Sequence, residues 1–258
     1  MGEVETDRFA IRIAGVTVGI RPHYQMIRDL CRKYMTKDPE DLEVSVSHEE
    51  ILQEQMQSDK EALREKRSVC RFDAGYLETL AIYRKIAENL IDREIFLFHG
   101  SAIAYKGSGV LFTAVSGTGK STHAALWKEA FPGNVLYVND DKPLIRFDGD
   151  VPYVCGTPWN GKHFRGNPVE VPLRAICFLE RGTENGVSRI AKRDAWPRML
   201  QQSYHPAGEE RFVRLMELLE KMADNTELYA LCCRPDREAA ILAKKTIFGE
   251  KSVVSSEL

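Results

Sequence analysis

The sequence predicts an α/β fold carrying an N-terminal α+β extension, on three observations. After residue 92, short β-branched and aromatic runs alternate with helical segments. A glycine-bearing loop at residues 116–122 joins an apolar strand to an amphipathic helix. A second apolar strand, ending at Asn139, then delivers two carboxylates, Asp140 and Asp141.

In chain order, residues 8–20 alternate apolar and polar around a glycine and predict a two-stranded hairpin. Residues 24–35 read as a helix. The highly charged stretch 47–68 is either an exposed helix or a mobile connection. Leu80, Tyr83, Ile86, Ala87 and Leu90 recur at helical spacing, so residues 77–91 form a helix packed on the core. Strands are expected at 95–104, 109–114, 134–139, 174–179 and 227–233. Runs 143–147 and 151–155 flank Asp148-Gly149-Asp150, a hairpin turn signal. Helices are expected at 120–131, stopped by Pro132-Gly133, and at 194–203, 209–223 and 236–247, the last capped by Asp236.

Composition narrows the function. With 43% hydrophobic residues among 258, the chain can bury an ordinary core as one large domain or two small ones. Basic residues number 36 against 38 acidic ones, which gives no electrostatic reason to expect nucleic acid as a partner. No apolar run reaches the ~18 residues of a membrane span, and the acidic N-terminus lacks the regions of a secretory signal. The six cysteines form no C-x-x-C pair, so free thiols in a reducing, cytoplasmic setting are expected. Residues 1–6 satisfy a loose M-G-x-x-x-[ST] acylation pattern, but a single acyl chain anchors only weakly. Nothing in the composition fixes the oligomeric state, and a homo-oligomer is left open.

The loop carries the chemistry. Ser116, Gly117, Thr118, Gly119, Lys120, Ser121 and Thr122 follow a strand and open a helix, the setting a Walker A loop requires. Glycines let the backbone curl so that its N–H groups point inward, the lysine reaches β- and γ-phosphates, and the hydroxyl of Ser121 serves Mg²⁺. ATP and Mg²⁺ are therefore the expected cofactors. The first glycine of the usual pattern is Ala114 here, which is tolerated if that residue keeps negative φ. On the helix that follows, Trp127 and Phe131 read as core, while His123 could be core or site.

Asp140 follows Lys120 by 20 positions, room for one helix and a return strand, so its strand is expected beside the one feeding the loop. Adjacent acids on an extended strand point to opposite faces. Phosphorylating an alcohol needs a positioned base, assigned to Asp140, with Asp141 as a metal ligand or its supporting partner. The metal candidates are thus Ser121, Asp140 and Asp141.

His99-Gly100, Gly109-Val110-Leu111-Phe112, the loop and Asn139-Asp140-Asp141 resemble, in order and spacing, the catalytic domain of the HPr kinase/phosphorylase family. The resemblance covers about residues 95–180 with motifs. It implies a P-loop kinase domain of the HPr kinase / phosphoenolpyruvate carboxykinase type at 93–250, between an N-terminal α+β region at 1–92 and a tail at 251–258. It further implies Asp140 as base toward a serine hydroxyl, Mg²⁺ shared with Ser121, and His99 near the phosphates. Arg165-Gly166 resembles the family's Arg-Gly signature, which would bring Arg165 to the active site. Two residues earlier, where the family has Glu, this chain has His163, a departure that bears on a second metal ligand and on the reverse phosphorolysis. The 156–162 loop carries Trp159 and Lys162; it either closes over the phosphates or acceptor, or is a surface loop with Trp159 tucked into the core. Lys162 or Arg165 would complete a charge clamp.

These observations favour an ATP- and Mg²⁺-dependent kinase acting on a hydroxyl, serine-like acceptor in a peptide, a protein or free form. The N-terminal third does not resemble the regulatory domain of HPr kinases, so HPr itself is not the expected substrate. A nucleotide-binding regulatory or scaffold protein without transfer is the alternative. A phosphoenolpyruvate carboxykinase is disfavoured by the short chain and the lack of a downstream His/Asp cluster.

Overall fold

The computed structural model describes residues 7–64, 68–161 and 163–249. The acylation pattern at 1–6, Lys162 and the tail at 251–258 lie outside them. Two mixed sheets organise the described chain. The smaller begins with β1 (Phe9–Ile13) and β2 (Val16–Arg21), an antiparallel pair with Ile13 opposite Val16. Ala14 and Gly15 both take positive φ, the turn geometry whose twist matches a two-residue hairpin. α1 (Gln25–Cys31) and a 3₁₀ turn at Arg32–Tyr34 follow, then β3 (Met35–Thr36) and β4 (Leu42–Ser45). The strand order is β3-β1-β2-β4. The expected helix at 24–35 stops early because Met35 joins β3 and pairs with Ile11.

The charged stretch is a helix, α2 (His48–Arg64). A capping box starts it: Ser47 Oγ accepts from the Glu50 N–H at 3.2 Å, and Glu50 Oε2 accepts from the Ser47 N–H at 2.7 Å. α3 (Ala74–Leu90) is capped by Asp73, which accepts from the Tyr76 N–H. It buries Leu77, Ile82, Tyr83, Ile86 and Leu90 against the small sheet. That cluster also takes in Ile95, Leu97, Leu144, Cys155 and Trp159, so the N-terminal part shares a core with the larger sheet.

The larger sheet has nine strands. In chain order its elements and flanking helices are β5 (Phe96–Leu97), β6 (Ser101–Tyr105), β7 (Ser108–Thr113), α4 (Lys120–Ala130), β8 (Val135–Asn139), β9 (Leu144–Asp148), β10 (Val151–Cys155), β11 (Glu170–Arg181), β12 (Gly186–Arg189), α5 (Lys192–Gln202), α6 (Glu209–Asp224), β13 (Glu227–Cys233) and α7 (Arg237–Phe248). The order runs β5-β9-β10-β11-β7-β6-β8, with β13 also on β11 and β12 on β13. β11 is parallel to both β7 and β13, whereas β6 is antiparallel to β7 and to β8.

Side chains alternate across this sheet, and helices cover both faces. Ile103, Val110, Phe112 and Cys177 pack with Trp127 of α4 and with Ala240, Ala243 and Ile247 of α7. Leu111, Ile176 and Phe178 pack with Met199 of α5 and with Leu215, Leu219 and Met222 of α6. The result is a mixed α/β architecture. Among the described residues no helix is long and apolar enough to cross a membrane.

Two further expectations are corrected. The single strand at 95–104 is broken into β5 and β6 around Gly100, where an added Cβ would lie 2.8 Å from Leu111 Cδ1 and from the Phe112 carbonyl. The chain there passes too close to β7 for any side chain. The strand carrying the two acids is also not beside the one feeding the loop, because β6 lies between β7 and β8. A spacing of one helix and a return strand fixes that β8 comes back, not which neighbour it finds.

Candidate functional site

The loop between β7 and α4 is shaped by its glycines. Gly117 has φ +79° and Gly119 φ +122°, conformations that side-chain-bearing residues rarely adopt. Ala114 keeps negative φ, so the missing first glycine brings no backbone strain. Lys120, the first residue of α4, is only 8% exposed and donates from Nζ to the Ala114 carbonyl at 3.0 Å. Ser116 and Gly117 are exposed, Thr118, Gly119 and Ser121 half-buried, and Thr122 faces outward from the first turn of α4. Arg181, at the end of β11, donates to the carbonyls of Gly117 and Thr118. Nothing in the spacing of the sequence announced that contact.

Asn139 sets the turn that carries the acids. Fully buried at the end of β8, it accepts on Oδ1 from the backbone N–H groups of Asp141 (2.8 Å) and Lys142 (2.7 Å). Its Nδ2 donates to Thr157 Oγ1 at 2.9 Å and to the carbonyls of Thr157 and Trp159. One side chain thereby ties the acidic turn to the 156–161 loop.

The two acids diverge. Asp140 is 3% exposed; its Oδ1 accepts from Ser101 Oγ at 2.8 Å, and its buried Oδ2 has no partner among the described residues. Ser101 Oγ in turn lies 3.5 Å from Ser121 Oγ. The first residue of β6 thus bridges the loop hydroxyl and the buried carboxylate. Asp141 turns the other way, to His99 Nε2 at 3.3 Å. Burial pushes the Asp141 carboxyl up, but the hydrogen bond from His99 and the charges of Lys142, His99 and Lys120 outweigh it and hold it below its ordinary value.

The remaining candidates separate. Arg165 donates to Tyr137 OH at 3.2 Å and lies over that ring, on β8, rather than on the loop. His123 belongs to the core: Trp127 Nε1 donates to it at 3.1 Å, Phe112 packs edge-on, and burial lowers its pKa to about 4. Trp159 is also core, 4% exposed, stacked on Tyr83 with ring centroids 4.0 Å apart and donating to the Thr79 carbonyl. The neighbouring Asn160 accepts from the Asp140 N–H, which closes the 156–161 loop against the acidic turn.

A cleft of about 660 Å³ opens beside this turn, bordered by Ser116, His99, Asp141 and Lys142 on one side and by α2, α3 and residues 201–205 on the other. A smaller one of about 360 Å³ lies away from the acids, between the small sheet and residues 168–170. Among the described residues no group of three or more His, Cys, Asp or Glu could hold a metal. The unpartnered Asp140 oxygen and the Ser121 hydroxyl instead offer a hard, all-oxygen pair. That fits Mg²⁺, which takes one or two protein ligands and completes its shell with phosphate and water.

No protein-family profile matches this chain, and no curated protein does. Among solved structures, the HPr(Ser) kinase/phosphatase from Coxiella burnetii is similar at 11% identity with a TM-score of 0.34, over 58% of this chain and 95% of that one. A likeness of that size carries no weight on fold or activity.

Proposed function

We propose that the chain is an ATP- and Mg²⁺-dependent phosphotransferase with a hydroxyl group as acceptor. The observation that carries the reading is the Ser121–Ser101–Asp140 chain of oxygens, which ends in a buried, unpartnered carboxylate oxygen beside a glycine-shaped loop. A buried carboxylate oxygen without a donor is costly and calls for a cation.

In this reading Lys120 leaves the Ala114 carbonyl for the β- and γ-phosphates, and the loop amides with the N-terminus of α4 hold the remaining charge. Ser121 and Asp140 would hold Mg²⁺, whose part there would be to offset charge on the phosphoryl group. The need for a base and the family resemblance assign that role to Asp140 in the sequence, but its depth and its link to Ser121 suit the metal better. Asp141 borders the open cleft, is kept ionised by His99, and is the better base. The acceptor oxygen bonds to the γ-phosphorus, the bond to the β-phosphate oxygen breaks, ADP leaves, and the hydroxyl proton passes to Asp141.

Calorimetric titration with ATP·Mg²⁺, followed by mass-shift screening of hydroxyl acceptors, tests this. Lys120→Ala should weaken nucleotide binding at least about tenfold, and Asp141→Asn should keep binding while slowing transfer by roughly 10²–10⁴. A native chain that binds no nucleotide would sink the proposal. The attachment of Arg165 to Tyr137, together with His163 in place of Glu, favours a second reading, a nucleotide-binding regulator without transfer. ATP binding with no acceptor-dependent transfer would select it.

A further inference from the structure

Resting on the kinase reading, we infer that the 660 Å³ cleft is the acceptor site and that Gln202 selects uncharged acceptors carrying an amide beside the hydroxyl. The cleft falls within the roughly 300–1,000 Å³ of small-molecule sites. It joins the phosphate loop at Ser116 to Asp141, so a hydroxyl entering it meets both the donor side and the base. Its opposite wall includes Ser58, Tyr76 and Leu80, which gives the N-terminal region a part in acceptor binding.

Gln202 is held in place by main-chain pairing. From Gln202, the last residue of α5, the chain runs antiparallel to residues 97–99: the His99 N–H donates to the Gln202 carbonyl at 2.7 Å, Phe98 bridges Ser203, and the Tyr204 N–H donates to the Leu97 carbonyl. Gln202 therefore sits beside His99, the partner of Asp141. The residue is 8% exposed, and the buried Oε1 has no partner among the described residues. A buried carbonyl oxygen without a donor is costly, so a ligand N–H is the natural counterpart. A carboxamide offers one acceptor and two donors, the pattern that an acceptor amide matches in reverse.

Charge points to the same class. Arg84 donates from Nε (3.0 Å) and Nη2 (2.7 Å) to Glu54, and Asp141 is matched by His99 and Lys142. The charged groups of the cleft thus offset one another, and nothing there draws a phosphorylated or carboxylate acceptor over a neutral one.

The test uses the full chain with two uncharged probes that share a hydroxymethyl group: N-acetyl-L-serinamide, and methyl 2-acetoxy-3-hydroxypropanoate, in which ester oxygens replace both nitrogens. Saturation-transfer NMR reads their binding in the presence of ADP·Mg²⁺, and calorimetry reads nucleotide binding separately. The amide should bind roughly tenfold tighter than the ester, the worth of one or two neutral hydrogen bonds. Gln202→Leu should erase that preference while leaving nucleotide affinity unchanged; Gln202→Met, which keeps the length but carries no acceptor oxygen, is the second variant should the first unfold. Equal binding of the two probes, no binding of either, or an amide preference that survives both substitutions would overturn the inference. Nucleotide binding without amide preference removes this inference alone. Amide preference without nucleotide binding removes the kinase reading and leaves an amide-binding cleft.

Discussion

Truncating Asn139 to alanine tests whether one buried carboxamide builds the acidic turn. The substitution takes the acceptor away from two backbone N–H groups, those of Asp141 and Lys142, bonded at 2.8 and 2.7 Å. It also takes the Nδ2 donor away from Thr157 and Trp159, both buried. Thr157 Oγ1 keeps its own donation to the Lys142 carbonyl, so it is not wholly orphaned. Counting two N–H groups and one carbonyl at the low end of the range, about 1 kcal/mol each, because Asp141 and Lys142 are only half-buried, gives a loss near 3 kcal/mol. For a chain of this size that is a fall in Tm of roughly 6–12 °C. Calorimetric melting of Asn139→Ala measures it directly. The partner substitution Thr157→Val should show a coupling of about 1 kcal/mol with it in a double-mutant cycle, because the two side chains share one network. A Tm within about 2 °C of the native value, with no coupling, would refute the claim that Asn139 shapes the turn.

Other substitutions probe separate links. Gly119→Ala puts a side chain at φ +122°, a strain of about 1–3 kcal/mol, and should cut affinity for ATP·Mg²⁺ at least about tenfold in a calorimetric titration. Trp159→Ala removes a buried ring stacked on Tyr83 and leaves the Thr79 carbonyl without its donor, so a loss of about 3–5 kcal/mol is expected from melting curves. The Asp141 carboxyl is depressed, so its contribution to stability is complete above the unfolded carboxylate value of about 3.9 and is lost as pH falls through the lower folded value. His99→Ala removes the largest influence opposing burial, so the Asp141 pKa should rise and the acid limb of kcat should move to higher pH. An acid limb that stays in place in the pH–rate profile would take His99 out of this role.

What the sequence discloses depends on how far apart the interacting residues lie along it. The glycine-bearing loop at 116–122 is legible because its glycines, lysine and hydroxyl fall within a few consecutive residues between a strand and a helix. The cap of α7 at Asp236 is local in the same sense, accepting from the Ala239 N–H three positions on. The capping box of Ser47 and Glu50 was equally local but stood in a run of charges with no apolar period to mark what followed. β12 escaped because Gly186–Arg189 is four residues long and takes its pairing from β13, 40 to 46 positions away. Ser101, Arg181 and Gln202 reach the site from three different elements, so only the sheet order and the pairing at the C-terminal end of α5 bring them there. His99 and Arg165 both entered through the family resemblance. The first stands on Asp141, while the second stands on Tyr137, because position in a motif does not fix which way a long side chain turns.

The strand order that spacing failed to foresee explains why a His-Gly-Ser segment belongs to this site at all. Had β8 lain directly beside β7, the carboxylate turn would sit next to the loop with no third segment between them. With β6 inserted, the start of that strand lies between the loop and the acids. Ser101 fills the gap, since its hydroxyl reaches both Ser121 and Asp140. Gly100 lets the chain approach β7 closely enough for that contact, because a Cβ there would meet Leu111 and the Phe112 carbonyl. His99, one residue earlier, lies beyond the N-terminal end of β6 and reaches Asp141, and its own N–H donates to the Gln202 carbonyl. Three consecutive residues thereby link the metal side, the base side and the acceptor cleft of the proposed site. Displacing β6 would perturb all three at once, whereas moving the loop alone would not.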